Sequence, residues 1–213
     1  MESRTEKAVK NSFWGLISKI SALVLGLVSR TIFIKYLGET YLGVNGVYSE
    51  LLNMLALAEL GFGTALNFAL YKPVAENDEI KIKKLLHFYK SVYRIIALII
   101  AGIGAVLVPF LPYILKGAET IDTFHLRLYF IIFLSNTVIG YFVSYKFAYL
   151  NAMQKNYIAT NVDTVVHFGT VLGQIIIMIT TKNFLAYLLF QTCTAVITRL
   201  CIALYLNKRF PIV

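Results

Sequence analysis

The chain has 213 residues, 58% of them hydrophobic, with a formal net charge of +9 and a mean hydropathy of +0.71. That composition excludes a water-soluble core, because several apolar runs reach the ~18 residues that mark a transmembrane helix. The positive charge gathers at the ends of those runs, where membrane topology accounts for it, so no nucleic-acid partner is expected.

Six apolar segments are predicted: roughly Ser12–Leu37, Tyr41–Tyr71, Tyr89–Leu115, Phe124–Leu150, Tyr157–Thr180 and Phe184–Leu206. Connections as short as Gly38–Thr40 and Thr181–Asn183 force antiparallel neighbours. The expected fold class is therefore all-α, a polytopic membrane protein. A single six-helix bundle fills 1–213, with no soluble domain and no internal repeat. The first apolar run exceeds the ~7–15 residues of a cleavable signal, so it reads as a span.

Two cations interrupt the first segment, Lys19 and Arg30. They are eleven residues apart, about three helical turns, and so share a face with Gly15, Ala22 and Gly26. A charge at mid-membrane costs roughly 2.5–3.5 kcal/mol. The stripe is expected to face a cavity or partner helices; the competing reading is a pair of snorkelling side chains.

The second segment is longer than one span and contains Gly61 and Gly63, where a kink is expected. It carries Glu50 and Glu59. Glu50 and Arg30 lie at similar depth, so an ion pair between them is feasible and competes with a ligand role for Arg30. From Lys72 to Lys90, Ile80, Ile82, Leu85, Leu86 and Tyr89 alternate with lysines. This suits a short amphipathic helix on the membrane surface or a solvated charge run.

The third segment ends in Pro109 and Pro112, which should kink or terminate it; its apolar residues point all ways, as in a lipid-exposed helix. Polar stripes mark the last three segments. The fourth has Asn136, Gly140 and Ser144; the fifth has Thr160, Asp163, His167, Thr170 and Gln174; the sixth has Gln191, Thr194, Thr198 and Cys201. One such stripe can simply join helices by hydrogen bonds. Several in one bundle favour a hydrated cavity.

Asp163 and His167 are helical neighbours, either an ion- or proton-coupling site or a packed hydrogen-bonded pair. Glu59 is a second coupling candidate. Arg199 either joins Lys19 and Arg30 in an electropositive interior or snorkels. His87 and His125 read as interfacial, and Cys193 and Cys201 as small packing residues. No catalytic, metal or nucleotide-binding motif is present, so no enzyme activity, catalytic residue, metal or cofactor is expected. Lys and Arg excess places both termini in the cytoplasm.

One region carries a family resemblance. Its pieces are Arg30-Thr31-Ile32-Phe33-Ile34-Lys35-Tyr36-Leu37-Gly38, Tyr41-Leu42-Gly43-Val44-Asn45-Gly46 and Leu57-Ala58-Glu59-Leu60-Gly61-Phe62-Gly63, followed by Tyr71-Lys72-Pro73 and Tyr89-Lys90-Ser91-Val92-Tyr93. This resembles the polysaccharide transporters of the multidrug/oligosaccharidyl-lipid/polysaccharide (MOP) exporter superfamily, the flippases of lipid-linked O-antigen or capsule repeat units.

The resemblance implies two six-helix lobes around a central cavity in a bacterial plasma membrane. It implies alternating-access movement of undecaprenyl-pyrophosphate-linked oligosaccharide for cell-surface polysaccharide synthesis, with ion or proton coupling. This chain would correspond to the N-terminal lobe, the second lobe being absent. Its partners would be the anionic lipid-linked oligosaccharide, the bilayer, a C-terminal lobe and polysaccharide-assembly proteins. Lys19, Arg30 and Arg199 would then hold the pyrophosphate, and the Asn, Gln and Thr stripes would meet sugar hydroxyls. The alternatives are a drug/cation antiporter of the same superfamily, which should present carboxylates to its cavity, and a non-transporting truncated remnant.

Overall fold

A chain crossing hydrocarbon must satisfy its backbone hydrogen bonds internally, and all the described regular structure is helical. The computed structural model describes residues 4–59, 61–154 and 157–209, without the side chains of 4–19, 21, 58, 157–159 and 209. The helices are α1 (Arg4–Leu37), α2 (Glu39–Ala56), α3 (Phe62–Ala75), α4 (Glu79–Leu107), α5 (Leu111–Ile114), α6 (Thr123–Ala152), α7 (Tyr157–Thr181) and α8 (Phe184–Arg209). Short 3-10 turns occupy Leu57–Glu59 and Val108–Phe110.

Four stretches are long and apolar enough to cross a membrane: Glu79–Ile114, Thr123–Ala152, Thr160–Thr181 and Phe184–Lys208. They mark a membrane protein. The expected six spans are not reached among the described residues. Half of α1 has no described side chains, and the second predicted segment is broken.

That break is sharper than the kink expected at Gly61 and Gly63. α2 tightens into the Leu57–Glu59 turn, and Gly61 adopts φ +101° before α3 begins. A left-handed residue cannot continue a right-handed helix, and only glycine adopts it without strain. The Thr64 hydroxyl donates to the Gly61 carbonyl at 2.9 Å and holds the new start.

One expectation for the Lys72–Lys90 connection is corrected. No separate amphipathic helix lies between Lys72 and Lys90. α3 ends at Ala75, Asp78 accepts from the Lys81 N–H at 3.0 Å, and α4 then runs unbroken from Glu79. The apolar residues of α4 do point all ways, since Ile95, Leu98, Ile99 and Val106 are exposed, but only one side is covered by other helices. Ile82, Leu86, Tyr89, Tyr93, Ile96, Ile100 and Gly104 form one buried face at helical spacing. That face packs along α6, and a Cβ on Gly104 would sit 2.5 Å from Leu134 Cδ1. Pro109 and Pro112 do end the helix, through the 3-10 turn and α5.

α6 is the central element. α4 and α3 pack on it, as do α8 and α2, while α7 lies against α1 and α8. Tyr48 on α2 is wholly buried and donates to the Leu126 carbonyl at 2.7 Å, which fixes α2 against the start of α6. At the end marked by Gly38 and Lys182, aromatic rings close the bundle. Phe33 meets Tyr187 edge-on at 5.2 Å, and Tyr129 meets Phe184 at 4.8 Å. The described helices therefore meet tightly at this end.

Candidate functional site

One cavity of about 1040 Å³ lies between α1, α2, α6, α7 and α8, and the Leu57–Glu59 turn reaches into it. The stripes predicted on separate helices converge there, apart from Thr160 and Cys201, which do not line it. Arg30 comes from α1, Asn136 and Ser144 from α6, Asp163, His167, Thr170 and Gln174 from α7, and Gln191, Thr194, Thr198 and Arg199 from α8. Glu59 lines it from the helix break. Phe33 and Tyr187 line its aromatic end. Arg30, Asp163 and His167 are exposed, so the cavity is open. The Lys19 side chain lies outside the described residues.

Arg199 does not snorkel. Its Nη1 donates to the Asn136 carbonyl at 2.7 Å and to Asn136 Oδ1 at 3.0 Å. About fifteen residues into α8, at 1.5 Å each, the group is some 22 Å from the helix start, near mid-bundle. Gly140 leaves the space the guanidinium occupies, since a Cβ there would stand 3.2 Å from Arg199 Cζ. The guanidinium has five donors, so two bonds from one nitrogen leave others for a ligand.

Asp163 and His167 do not form the hydrogen-bonded pair that their spacing allows. No bond between them is present among the described residues, and Asp163 instead interacts electrostatically with Arg199 across the cavity. Adjacency on a helix face brings Cβ atoms near, but rotamers that reach into open space separate the polar ends.

The Arg30–Glu50 ion pair is also absent among the described residues. The cavity face of α2 carries Leu42 and Asn45. Glu50 is rotated about 140° from Asn45 and about 80° from Leu42, and it is exposed. Counted from Gly38, Arg30 lies about 12 Å and Glu50 about 18 Å along their helices, so depth as well as direction separates them. Arg30 is left with no ion pair among the described residues.

The hydroxyl stripes are largely satisfied by their own helices. Ser144 donates to the Gly140 carbonyl at 3.1 Å, Thr194 to Phe190 at 2.9 Å and Thr198 to Thr194 at 2.7 Å. Each retains acceptor capacity toward the cavity. Gln174 is 5% exposed and donates to Gln191 Oε1 at 3.2 Å, joining α7 to α8. Asn45 lines the cavity, and its Oδ1 is buried without a hydrogen-bond partner.

Three functional neighbours escaped the sequence reading. The hydroxyls of Tyr93 on α4 and Tyr141 on α6 are placed to donate to the Glu59 carboxylate, and their rings stack at 6.3 Å. Gly63 leaves room for the Tyr93 hydroxyl: a Cβ would be 3.3 Å from it and 3.6 Å from Glu59 Oε1. Asn45 is the third. A buried carboxylate calls for donors, but nothing in one helix names the partner on another. No group of three metal-ligating side chains occurs among the described residues.

Comparison with known proteins finds no matching family model, no matching curated protein and no matching solved structure.

Proposed function

We propose that the chain is a six-span lobe of a flippase in a bacterial plasma membrane, with both termini cytoplasmic. It moves undecaprenyl-pyrophosphate-linked oligosaccharide to the outer leaflet by alternating access. The observation that carries this reading is the polar cavity of about 1040 Å³ holding Arg30 and Arg199 within an apolar bundle. Its volume is at the upper end for ligand pockets, roughly 300–1,000 Å³. Guanidinium groups match phosphate oxygens in charge and geometry. Amides and hydroxyls suit sugar hydroxyls, while the polyprenyl tail stays in lipid. The aromatic closure at one end supports a state open only toward the other. Release needs a second state that binds less tightly, and Glu59 at the helix break is the coupling group.

The exposed Arg30, Asp163 and His167 would be costly against hydrocarbon. That supports a second bundle covering the open side of the cavity, as a two-lobed exporter provides.

The test is export at matched protein level. Arg30→Ala is expected to reduce surface polysaccharide severely, and Arg30→Lys to restore it in part because charge returns without the planar fork. Unchanged polysaccharide in Arg30→Ala refutes the reading.

A specific observation favours a second reading, a drug/cation antiporter: Glu59 and Asp163 line the same cavity. Both have counterweights, the tyrosine hydroxyls at Glu59 and Arg199 facing Asp163. Efflux of an organic cation that Glu59→Gln abolishes, with polysaccharide unaffected, would establish this reading instead.

A further inference from the structure

Behind the cavity, a second cationic site lies among α4, α6 and α8. Lys146 is only 7% exposed, and its Nζ donates to Asn207 Oδ1 on α8. The same ammonium lies 5.8 Å from the centroid of the Tyr145 ring. Lys90 on α4 reaches that ring as well, with its Nζ 5.8 Å from the centroid. The two lysines feel each other's charge, and Arg94, one turn further along α4, also acts on Tyr145. None of the three cations has a carboxylate at ion-pair distance among the described residues. The acid of this neighbourhood, Glu79, acts on Tyr149 instead.

Among the described residues the buried Lys146 ammonium has only neutral partners, an incomplete arrangement. Removing such an ion from water is costly unless a counter-charge is present, and an amide oxygen and a ring face offset only part of that. A second ammonium nearby worsens the balance. An anion would complete it.

Position selects its source. Lys146 is six residues from the end of α6, about 9 Å along the axis, and Asn207 is near the end of α8. The exposed Lys81, Lys83, Lys84 and Lys208 belong to the same end of the bundle. About one turn from Asn207 toward the middle of α8, Leu204 is 66% exposed and offers apolar surface for an acyl chain. On α6, the cavity-lining Ser144 and Phe147 flank Tyr145 and Lys146, neither of which lines the cavity.

We propose that Lys90, Lys146 and Asn207 bind the headgroup phosphate of an anionic phospholipid from the leaflet at this end. This rests on the membrane location alone and not on the flippase reading. Lipid phosphate would supply the missing charge, and basic pockets between helices at such an interface suit it.

The full chain, purified in detergent and mixed with phosphatidylglycerol or phosphatidylcholine, tests this by native mass spectrometry of retained lipid. Roughly tenfold preference for phosphatidylglycerol is expected. Lys90→Gln with Lys146→Gln should abolish it, whereas Lys182→Gln at the opposite end should not. Inorganic phosphate at millimolar concentration should displace no lipid. Equal retention of the two lipids by the unaltered chain overturns the proposal, as does preference surviving in the double variant. Displacement by inorganic phosphate would assign the site to a soluble anion instead and overturn the lipid assignment. If the double variant fails to fold, the unaltered chain's lipid preference and the single Lys90→Gln variant, which should lower it several-fold, decide the matter.

Discussion

Arg199 on α8 binds Asn136 on α6 twice through one nitrogen, at 2.7 Å to the backbone carbonyl and 3.0 Å to the side-chain oxygen. Hydrogen bonds to a charged group contribute about 1.5–3 kcal/mol. Arg199→Ala should therefore lower stability by about 1–3 kcal/mol in detergent unfolding. Asn136→Ala should cost less, because the carbonyl remains. Equal losses would show that the backbone bond contributes nothing.

Gly140 tests the same contact from the other side. A Cβ would press on Arg199 Cζ at 3.2 Å. Gly140→Ala should cost up to ~1 kcal/mol in the native background. With Arg199 already alanine, it should be neutral or stabilising by up to ~1 kcal/mol, the helix preference of alanine over glycine. A double-mutant cycle measures the difference. Additive effects would mean that the glycine serves another purpose.

The Glu59 environment makes a second pair of predictions. Tyr93→Phe and Tyr141→Phe each remove a hydroxyl directed at the carboxylate. Each should destabilise by about 1–3 kcal/mol, and Glu59→Gln should cancel most of that loss, because a neutral amide depends less on the donors. Hydrogen exchange should quicken first at residues 57–63, where the helix is broken. Tyrosine variants as stable as the native chain would remove these donors from the account.

Packing between α7 and α8 can be probed by two glycines one turn apart. A Cβ on Gly173 would collide with the Phe190 ring, while one on Gly169 would meet nothing within 4 Å. Gly173→Ala should cost about 1–3 kcal/mol from overpacking. Gly169→Ala should be neutral or slightly stabilising. Thermal melts of the two variants decide it, and the reverse order would contradict the helix pairing described.

Much of the candidate site was legible because helical periodicity is a property of one segment. Asn136 with Ser144, Asp163 through Gln174 and Gln191 through Thr198 repeat every three or four residues, and each set does occupy one face. The same logic misled where the question involved two segments. Arg30 and Glu50 read as similar in depth, yet they stand about 6 Å apart along their helices and α2 turns the acid away from Asn45. α4 was apolar in every direction by composition, but only its packing on α6 selected which side is buried.

By itself, the sequence determined a helical membrane protein, the turn breaks at its glycines and prolines, and the residues that share each polar face, since these follow from backbone sterics and the cost of unsatisfied polar groups in hydrocarbon. Only the tertiary structure decided that those faces meet in one cavity, that Arg199 is held by Asn136, that Glu59 faces two tyrosines and that Lys146 is buried without a counter-charge among the described residues. These are relations across helices, set by rotation and close approach of whole elements, and no local pattern encodes them.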